Sequence, residues 1–449
     1  MSSQQQQQTG PTDLDNAQAI ADAFGNNGPY AIRYRREPKG SAWWGFRGTA
    51  WYPLSDGDMV ELAILTKQTS ARKINNAISV ARGLEELAAT PEQFDADPYL
   101  LNTQSGTLNL RPGHYDFYEN RAEDYLTQTM GAGFDRDAKC PHWDAFIAEI
   151  LPNPEVRWYV QRLIGYALVG TQSEAILPIL IGDGFNGKST FVEMVATLFG
   201  TYAAIAEKTL FKVTKFDQHA TEKMPLHKAR LAHSEELPAV ELDEPKIKGL
   251  TGDDRFTARG MRENFRQIVP THTFLIHTNK RPIIRGTDRG IWRRVVLIPF
   301  EVTIQKQDRT IKDKLRGEMS GILNWALDGL INGYQAGEYL SRPPVLDAVL
   351  EEYRQESDTV SWFVNQYEYA PGEVSFGVRF DHEEHAMAEG FDKTEIARNY
   401  RAVCEALTKM GGKSAWIRNP DNNGKGARGW QDIRKREARA LSGPTQTPL

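Results

Sequence analysis

The sequence predicts an α/β protein: a central, mostly parallel sheet, preceded by a small α+β part and a helical part, and followed by a compact basic part. Three observations carry this. From Ile176 onward, short apolar runs (Ile176–Ile181, Ala229–Ala232, Thr273–His277, Val295–Phe300) alternate with helical stretches and basic loops, the pattern of strands joined by crossover helices. The first run enters a glycine loop, and a helix-spaced set (Phe191, Val192, Met194, Val195, Leu198) leaves it. Over residues 391–440 basic side chains outnumber acidic ones about two to one, marking a separate piece.

In chain order, residues 1–12 are Gln-rich, close with Gly10-Pro11 and read as a disordered leader. Residues 13–24 have helical spacing (Leu14, Ala17, Ile20, Ala21, Phe24), with Thr12 or Asp13 as N-cap. Tyr30 to Trp51 alternates aromatics with glycines and reads as a β-hairpin or meander, in which Trp43, Trp44 and Trp51 form a small core rather than a base-stacking surface. Residues 57–90 return to helical periodicity. Pro98 to Leu110 looks like two short strands around a Ser105-Gly106 turn, closing a first domain at 13–110. Helical patterns from Cys140 to Gly170 make 111–172 a helical domain, and 173–340 is the α/β domain. Beyond Pro343-Pro344, a charged helix, a turn-rich acidic stretch at 366–390 and the basic piece make up 341–441, and 442–449 is a tail.

Composition bounds the function. The 449 residues are 40% hydrophobic and 25% charged with a net charge of −5, so any nucleic-acid surface is local. Two distant cysteines, Cys140 and Cys404, and no zinc-finger spacing indicate reduced thiols and no structural metal. The polar start is no signal peptide and no apolar run reaches the ~20 residues of a membrane span, so a cytoplasmic protein without a membrane partner is expected.

The loop is Gly182-Asp183-Gly184-Phe185-Asn186-Gly187-Lys188-Ser189-Thr190, which satisfies the phosphate-loop pattern. Its glycines let backbone N–H groups wrap the β-phosphate, and the helix starting near Lys188 offers its positive end. Lys188 reaches the β- and γ-phosphates, and the Ser189 hydroxyl sits on Mg²⁺. ATP and Mg²⁺ are therefore the expected ligands. A second apolar strand ends in Ser234-Glu235-Glu236, whose acids can divide the work between Mg²⁺ and the attacking water.

With Leu250-Thr-Gly-Asp253, Thr278-Asn279-x-x-Pro282 and Arg285-Gly-Thr-Asp-x-x-Ile-Trp-Arg-Arg294 following in order, the chain resembles the superfamily 3 helicases, AAA+-type ring motors. More narrowly it resembles the phage and plasmid primase-helicase family that includes the poxvirus nucleoside triphosphatase-primase. Asp97 to Leu108 and Pro141-His-Trp-Asp-Ala-Phe146 are similar to that family's region before the motor.

The resemblance implies roles. Glu235 takes the metal and catalytic role of the acidic pair, and Glu236 stands beside it. Lys248 faces a phosphate across a subunit boundary. Asn279 is the polar sensor for the lytic water. Arg293 or Arg294 is an arginine finger supplied by the neighbouring subunit, with Arg293 preferred and Arg289 a third candidate, though a surface ion pair is the commoner fate of any arginine. Residues 255–270 fall where the family carries a hairpin pointing into the ring pore. There Arg259, Arg262 and Arg266 would grip single-strand phosphates without reading sequence. The C-terminal helix and basic two-stranded wing read as a winged helix, with Arg418, Lys425 and Arg428 contacting DNA.

These expectations describe an ATP-driven, homo-hexameric replicative DNA helicase of a phage or mobile element in a bacterial host. It acts on single-stranded and forked DNA, and by resemblance it moves 3′ to 5′. About 100 residues before the helical domain hold no priming domain, and Asp56-Gly-Asp58 lacks other primase signals, so a separate primase is the expected partner. The alternative is an origin-binding initiator that uses ATP only to assemble.

Overall fold

A computed structural model describes residues 11–436 apart from 27, 38–39, 68–69, 214–219, 235, 238–240, 253–254, 260–264, 285–288, 307, 358–362, 365, 377, 389–392 and 419–425. The chain divides into two compact units, residues 1–350 and 351–449.

The first unit opens with α1 (Asp13–Phe24). Thr12 caps it: its hydroxyl accepts from the Asp15 N–H at 3.1 Å, and the Asp15 carboxylate accepts from the Thr12 N–H at 2.8 Å. Such a reciprocal cap contributes roughly 1 kcal/mol. Strands β1 (Ile32–Arg35), β2 (Ala42–Phe46) and β3 (Trp51–Pro53) form the expected antiparallel meander, and β4 (Ala88–Ala89) adds parallel to β1. Helices α2 (Asp56–Leu65) and α3 (Ala71–Ala81) lie between β3 and β4. Asp58 closes a capping box with Ser55 at the start of α2, which accounts for the Asp56-Gly-Asp58 acids locally. Trp43 and Trp51 are buried as core, with Trp51 stacked on Tyr125 at 5.4 Å.

Strands β5 (Leu100–Asn102), β6 (Thr107–Asn109) and β7 (Phe117–Tyr118) form a second small sheet. Helices α4 (Pro141–Ile150) and α5 (Pro154–Ala167) follow, and share one apolar core with the elements after them.

Next comes a five-stranded sheet whose strands are all parallel: β8 (Leu177–Ile181), β9 (Ala203–Ile205), β10 (Leu231–His233), β13 (Thr273–Thr278) and β14 (Val295–Pro299), in the order β14-β8-β13-β10-β9. Strand β8, inside the sheet between β14 and β13, is an unbroken apolar run because both faces are covered. Its Pro178 has no N–H to give, and pairing with β13 begins one residue later, at Ile179. Helix α6 (Lys188–Phe199) leaves β8, and α7 (Glu244–Thr251) precedes an antiparallel hairpin of β11 (Phe256–Ala258) and β12 (Arg266–Ile268). A short α8 (Arg289–Trp292) leads into β14, and α9 (Ile311–Arg316), α10 (Met319–Asp328) and a π-helical segment (Gly329–Glu338) follow it. Helix α11 (Pro344–Ser357) contains the division between the units.

The second unit runs β15 (Tyr367–Phe376), α12 (Val378–Ala388), α13 (Lys393–Lys409), β16 (Lys413–Arg418) and β17 (Gly426–Lys435), with sheet order β15-β17-β16. The stretch 366–390, expected as turns, is thus a strand and a helix. Its acids are partners rather than solvated turn residues: Glu368 and Glu373 pair with Arg434, and Asp381 pairs with Lys435.

Candidate nucleotide site

Because the sheet is parallel, β8, β10 and β13 all end at one edge, where open α/β sheets place their ligands. The glycine loop leaves β8 there. Gly182 is pressed against β14: a Cβ would sit 2.2 Å from the Phe300 carbonyl oxygen. Gly187 has φ +81°, and a Cβ there would sit 2.5 Å from Cγ2 of Ile150, so this corner requires glycine. Helix α6 begins at Lys188, with Gly187 as its N-cap, no side-chain cap, and the Lys188 N–H donating to Asn186 Oδ1 at 3.4 Å.

Asn186 braces the cradle. Its side-chain amide donates to the Phe300 carbonyl at 3.0 Å, and its Oδ1 accepts from Lys188 Nζ at 3.1 Å. Lys188 Nζ also donates to the Gly182 carbonyl. The ammonium is thus folded back onto the loop and buried. Burial pulls its pKa down, against the pull of Glu236 and Asp183 in the other direction. Ser189, one residue on, is exposed.

The loop forms one wall of a cavity of about 430 Å³. Glu236, His277 and Asn279 form the wall beyond it. Asn279 Nδ2 donates to the Glu236 carboxylate, so the ends of β10 and β13 are joined by a side-chain bond. Thr278 fixes the same corner through its hydroxyl, which donates to Leu237 O at 2.8 Å and Lys280 O at 2.7 Å. Glu235 lies outside the described residues.

Several lining residues were not expected from the sequence. His277, near the end of β13, lines the same cavity as Asn279 just beyond it, and its Nδ1 has no hydrogen-bond partner among the described residues. Burial lowers its pKa, and Glu236 opposes this. Phe146 and Glu149 come from α4, and Lys306, Arg309 and Lys312 from the segment after β14. That segment is tied to the cradle by the Ile304 N–H, which donates to the Phe185 carbonyl at 2.8 Å. The cation spacing Lys306, Arg309, Lys312 was the available signal.

The other expected residues fall elsewhere. Lys248 is on α7, 4.0 Å from Glu244, and does not line this cavity. Arg293 is exposed on the turn before β14, while Arg294 donates to the Gly290 carbonyl at 2.9 Å. Arg289 begins α8. In the β11–β12 hairpin Arg259 is exposed, with its guanidinium 4.9 Å from the Phe265 ring centre, and Arg266 starts β12. Arg262 and Lys425 lie outside the described residues, and Arg418 and Arg428 are on β16 and β17. Among the described residues no helix is long and apolar enough to cross a membrane.

Comparison with known proteins adds family context. A family described as "D5 N terminal like" matches residues 17–152, and a family of unknown function (DUF5906) matches 180–294. The chain is 26% identical over 278 residues to a protein of Acanthamoeba polyphaga mimivirus named "Putative helicase L207/L206", covering 58% of this chain and 28% of that one. It is 24% identical over 305 residues to "Putative primase C962R" of African swine fever virus, covering 61% and 31%. The chain spans under a third of the length of these curated relatives. The apo C-terminal region of NrS-1 has a similar fold, with a TM-score of 0.52 at 9% identity over 94% of this chain and 100% of that one.

Proposed function

We propose that this chain, a member of the superfamily 3 helicase–primase family, is an ATP-dependent DNA helicase that moves along single-stranded DNA and parts the duplex ahead of it. The observation that carries this reading is the meeting of Lys188, Glu236 and Asn279 on one cavity at the carboxyl edge of a parallel sheet.

In this reading the N–H groups of Gly184–Gly187 and the Lys188 ammonium hold the β- and γ-phosphates. The exposed Ser189 hydroxyl and Glu235 hold Mg²⁺, which when bound neutralises charge on the phosphate oxygens. The donor chemistry fits: a glycine cradle, a lysine, a hydroxyl and an acidic strand end. Glu236, oriented by Asn279, accepts the proton of the attacking water as its oxygen bonds to the γ-phosphorus and the bond to ADP breaks. Charge that builds on the γ-phosphoryl oxygens needs a further cation. Arg293, exposed and away from its own chain's cavity, supplies it to the neighbouring copy of a hexameric ring. Arg294 is the alternative, and Lys248 faces the same boundary.

The β11–β12 hairpin, with Arg259, Arg262 and Arg266, grips the strand through its phosphates. The second unit's order of strand, two helices and two-stranded hairpin supports the winged-helix reading, with Lys425 and Arg428 on DNA. The chain then serves the replication of a phage or other mobile DNA element in the cytoplasm of its host, alongside a primase.

Displacement of a labelled strand from a forked duplex tests this. The wild-type chain with ATP and Mg²⁺ should release the strand, and Lys188→Ala should bind the fork yet release none. Sequence-specific duplex binding without any displacement would contradict the reading and favour an assembly-only initiator.

A further inference from the structure

The second unit carries a large apolar side chain that its own core does not use. Trp416, on β16, is 76% exposed, the most exposed large hydrophobic residue among those described. A tryptophan left in water forgoes the burial of a large apolar ring, so an isolated one on a folded sheet calls for an occupant.

Its position follows from the register. In the antiparallel pair β16–β17, Trp416 stands opposite Arg428 and Ser414 opposite Trp430. Opposed residues share a face, so Trp416 and Trp430 lie on the same one. Trp430 is 3% exposed and packs in the unit's core with Tyr367, Val403 and Ile433. Trp416 is two pairs further along the ladder and is not part of that core. Strand β16 is also the outer strand of its sheet, and no further strand flanks it among the described residues.

Charge identifies the occupant. Strands β16 and β17 carry Lys413, Arg418, Arg428, Arg434 and Lys435 against a single acid, Asp432. Arg434 and Lys435 sit at the far end from Trp416, and β15 and α12 neutralise them through Glu368, Glu373 and Asp381. Arg428 stands opposite Trp416 and Arg418 lies two residues on, with Lys413 at the other end of β16, and neither strand carries an acid from 413 to 418 or 426 to 431. A flat ring on strands of basic sequence suits a polyanion with exposed π-faces. In duplex DNA those faces are stacked away; in an unpaired strand they are free.

We propose that Trp416 is a stacking platform for a base of an unpaired DNA strand, so that this hairpin favours single-stranded over duplex DNA. The site is separate from the β11–β12 hairpin and needs no nucleotide. The inference rests on the DNA-motor reading and adds to it a second contact that recognises the unpaired strand by its bases.

The test uses the full chain without nucleotide, and anisotropy of a labelled unpaired strand of roughly 16 nucleotides and of a blunt duplex of the same sequence. Trp416→Ala should weaken the unpaired strand roughly tenfold and leave the duplex nearly unchanged. Trp416→Phe, which keeps a ring, should restore most of the affinity. At 76% exposure, neither change disturbs the core. Equal binding by Trp416→Ala and wild type would overturn the inference alone, as would an equal loss on both DNAs. A change in the chain's self-association with unchanged DNA binding would assign Trp416 to a protein contact instead and overturn it too. No binding of unpaired DNA by the wild type would overturn the motor reading along with it.

Discussion

Lys188 Nζ donates to Asn186 Oδ1 at 3.1 Å, while the Asn186 amide donates to the Phe300 carbonyl at 3.0 Å. One buried side chain thus sets the lysine and fastens the phosphate loop to β14. Asn186→Ala removes both links. A hydrogen bond to a charged group contributes about 1.5–3 kcal/mol, so KM for ATP should rise roughly tenfold. A fall in kcat with KM unchanged would contradict this bracing role.

Arg230 is a second brace, and a structural one. It is fully buried on the edge of β10, donates to Leu100 O at 2.6 Å and to Leu168 O, and lies 4.5 Å over the Tyr202 ring. It therefore joins the β5 strand, the end of α5 and the parallel sheet. Arg230→Ala should cost the first unit about 3 kcal/mol by leaving carbonyls unpaired. Arg230→Lys cannot fork to both carbonyls and should recover little. Denaturant midpoints measure this, and a shift of a few tenths of a kcal/mol would contradict it.

His272 makes stability fall in acid. It is fully buried between Phe256 and Phe274, neither ring nitrogen has a partner among the described residues, and burial pushes its pKa down to about 3. Unfolded, it titrates near about 6.5. Between those values the unfolded chain holds the extra proton, so the contribution is whole above about pH 6.5 and drains away as pH falls towards about 3. His233 and His277 are lowered by burial too and act in the same direction. His272→Phe should raise the unfolding midpoint and flatten its fall below pH 6.5; parallel curves for variant and wild type would refute the assignment.

Arg293 is tested by mixing. An arginine that completes a neighbour's site is worth about 10³ or more in rate. Arg293→Ala should lose ATP hydrolysis while still binding ATP. Mixed with wild type, it should depress activity beyond simple dilution. Full activity in Arg293→Ala would move the role to Arg294.

Much of the fold was legible because its signals are local. The Thr12 cap, the β8–loop–α6 unit and the β11–β12 hairpin each lie within about 25 consecutive residues and follow backbone rules. What escaped reading depends on distant segments meeting. Phe146 and Glu149, and Lys306, Arg309 and Lys312, come to the cavity from either side of the loop in sequence, and only the spacing of the three cations announces any of them. The acids of 366–390 resembled solvated turns because their partners, Arg434 and Lys435, lie more than 50 residues later. Arg230 looked like an ordinary basic residue within the short run Ala229–Ala232, since its carbonyl partners are 62 and 130 residues away.

The most direct test of the central claim is steady-state ATP hydrolysis by the purified chain, with and without single-stranded DNA, beside Lys188→Ala. The account predicts hydrolysis that rises with DNA in the wild type and is lost in Lys188→Ala, whose fold and DNA binding persist. Hydrolysis indifferent to DNA, or undiminished in Lys188→Ala, would contradict it.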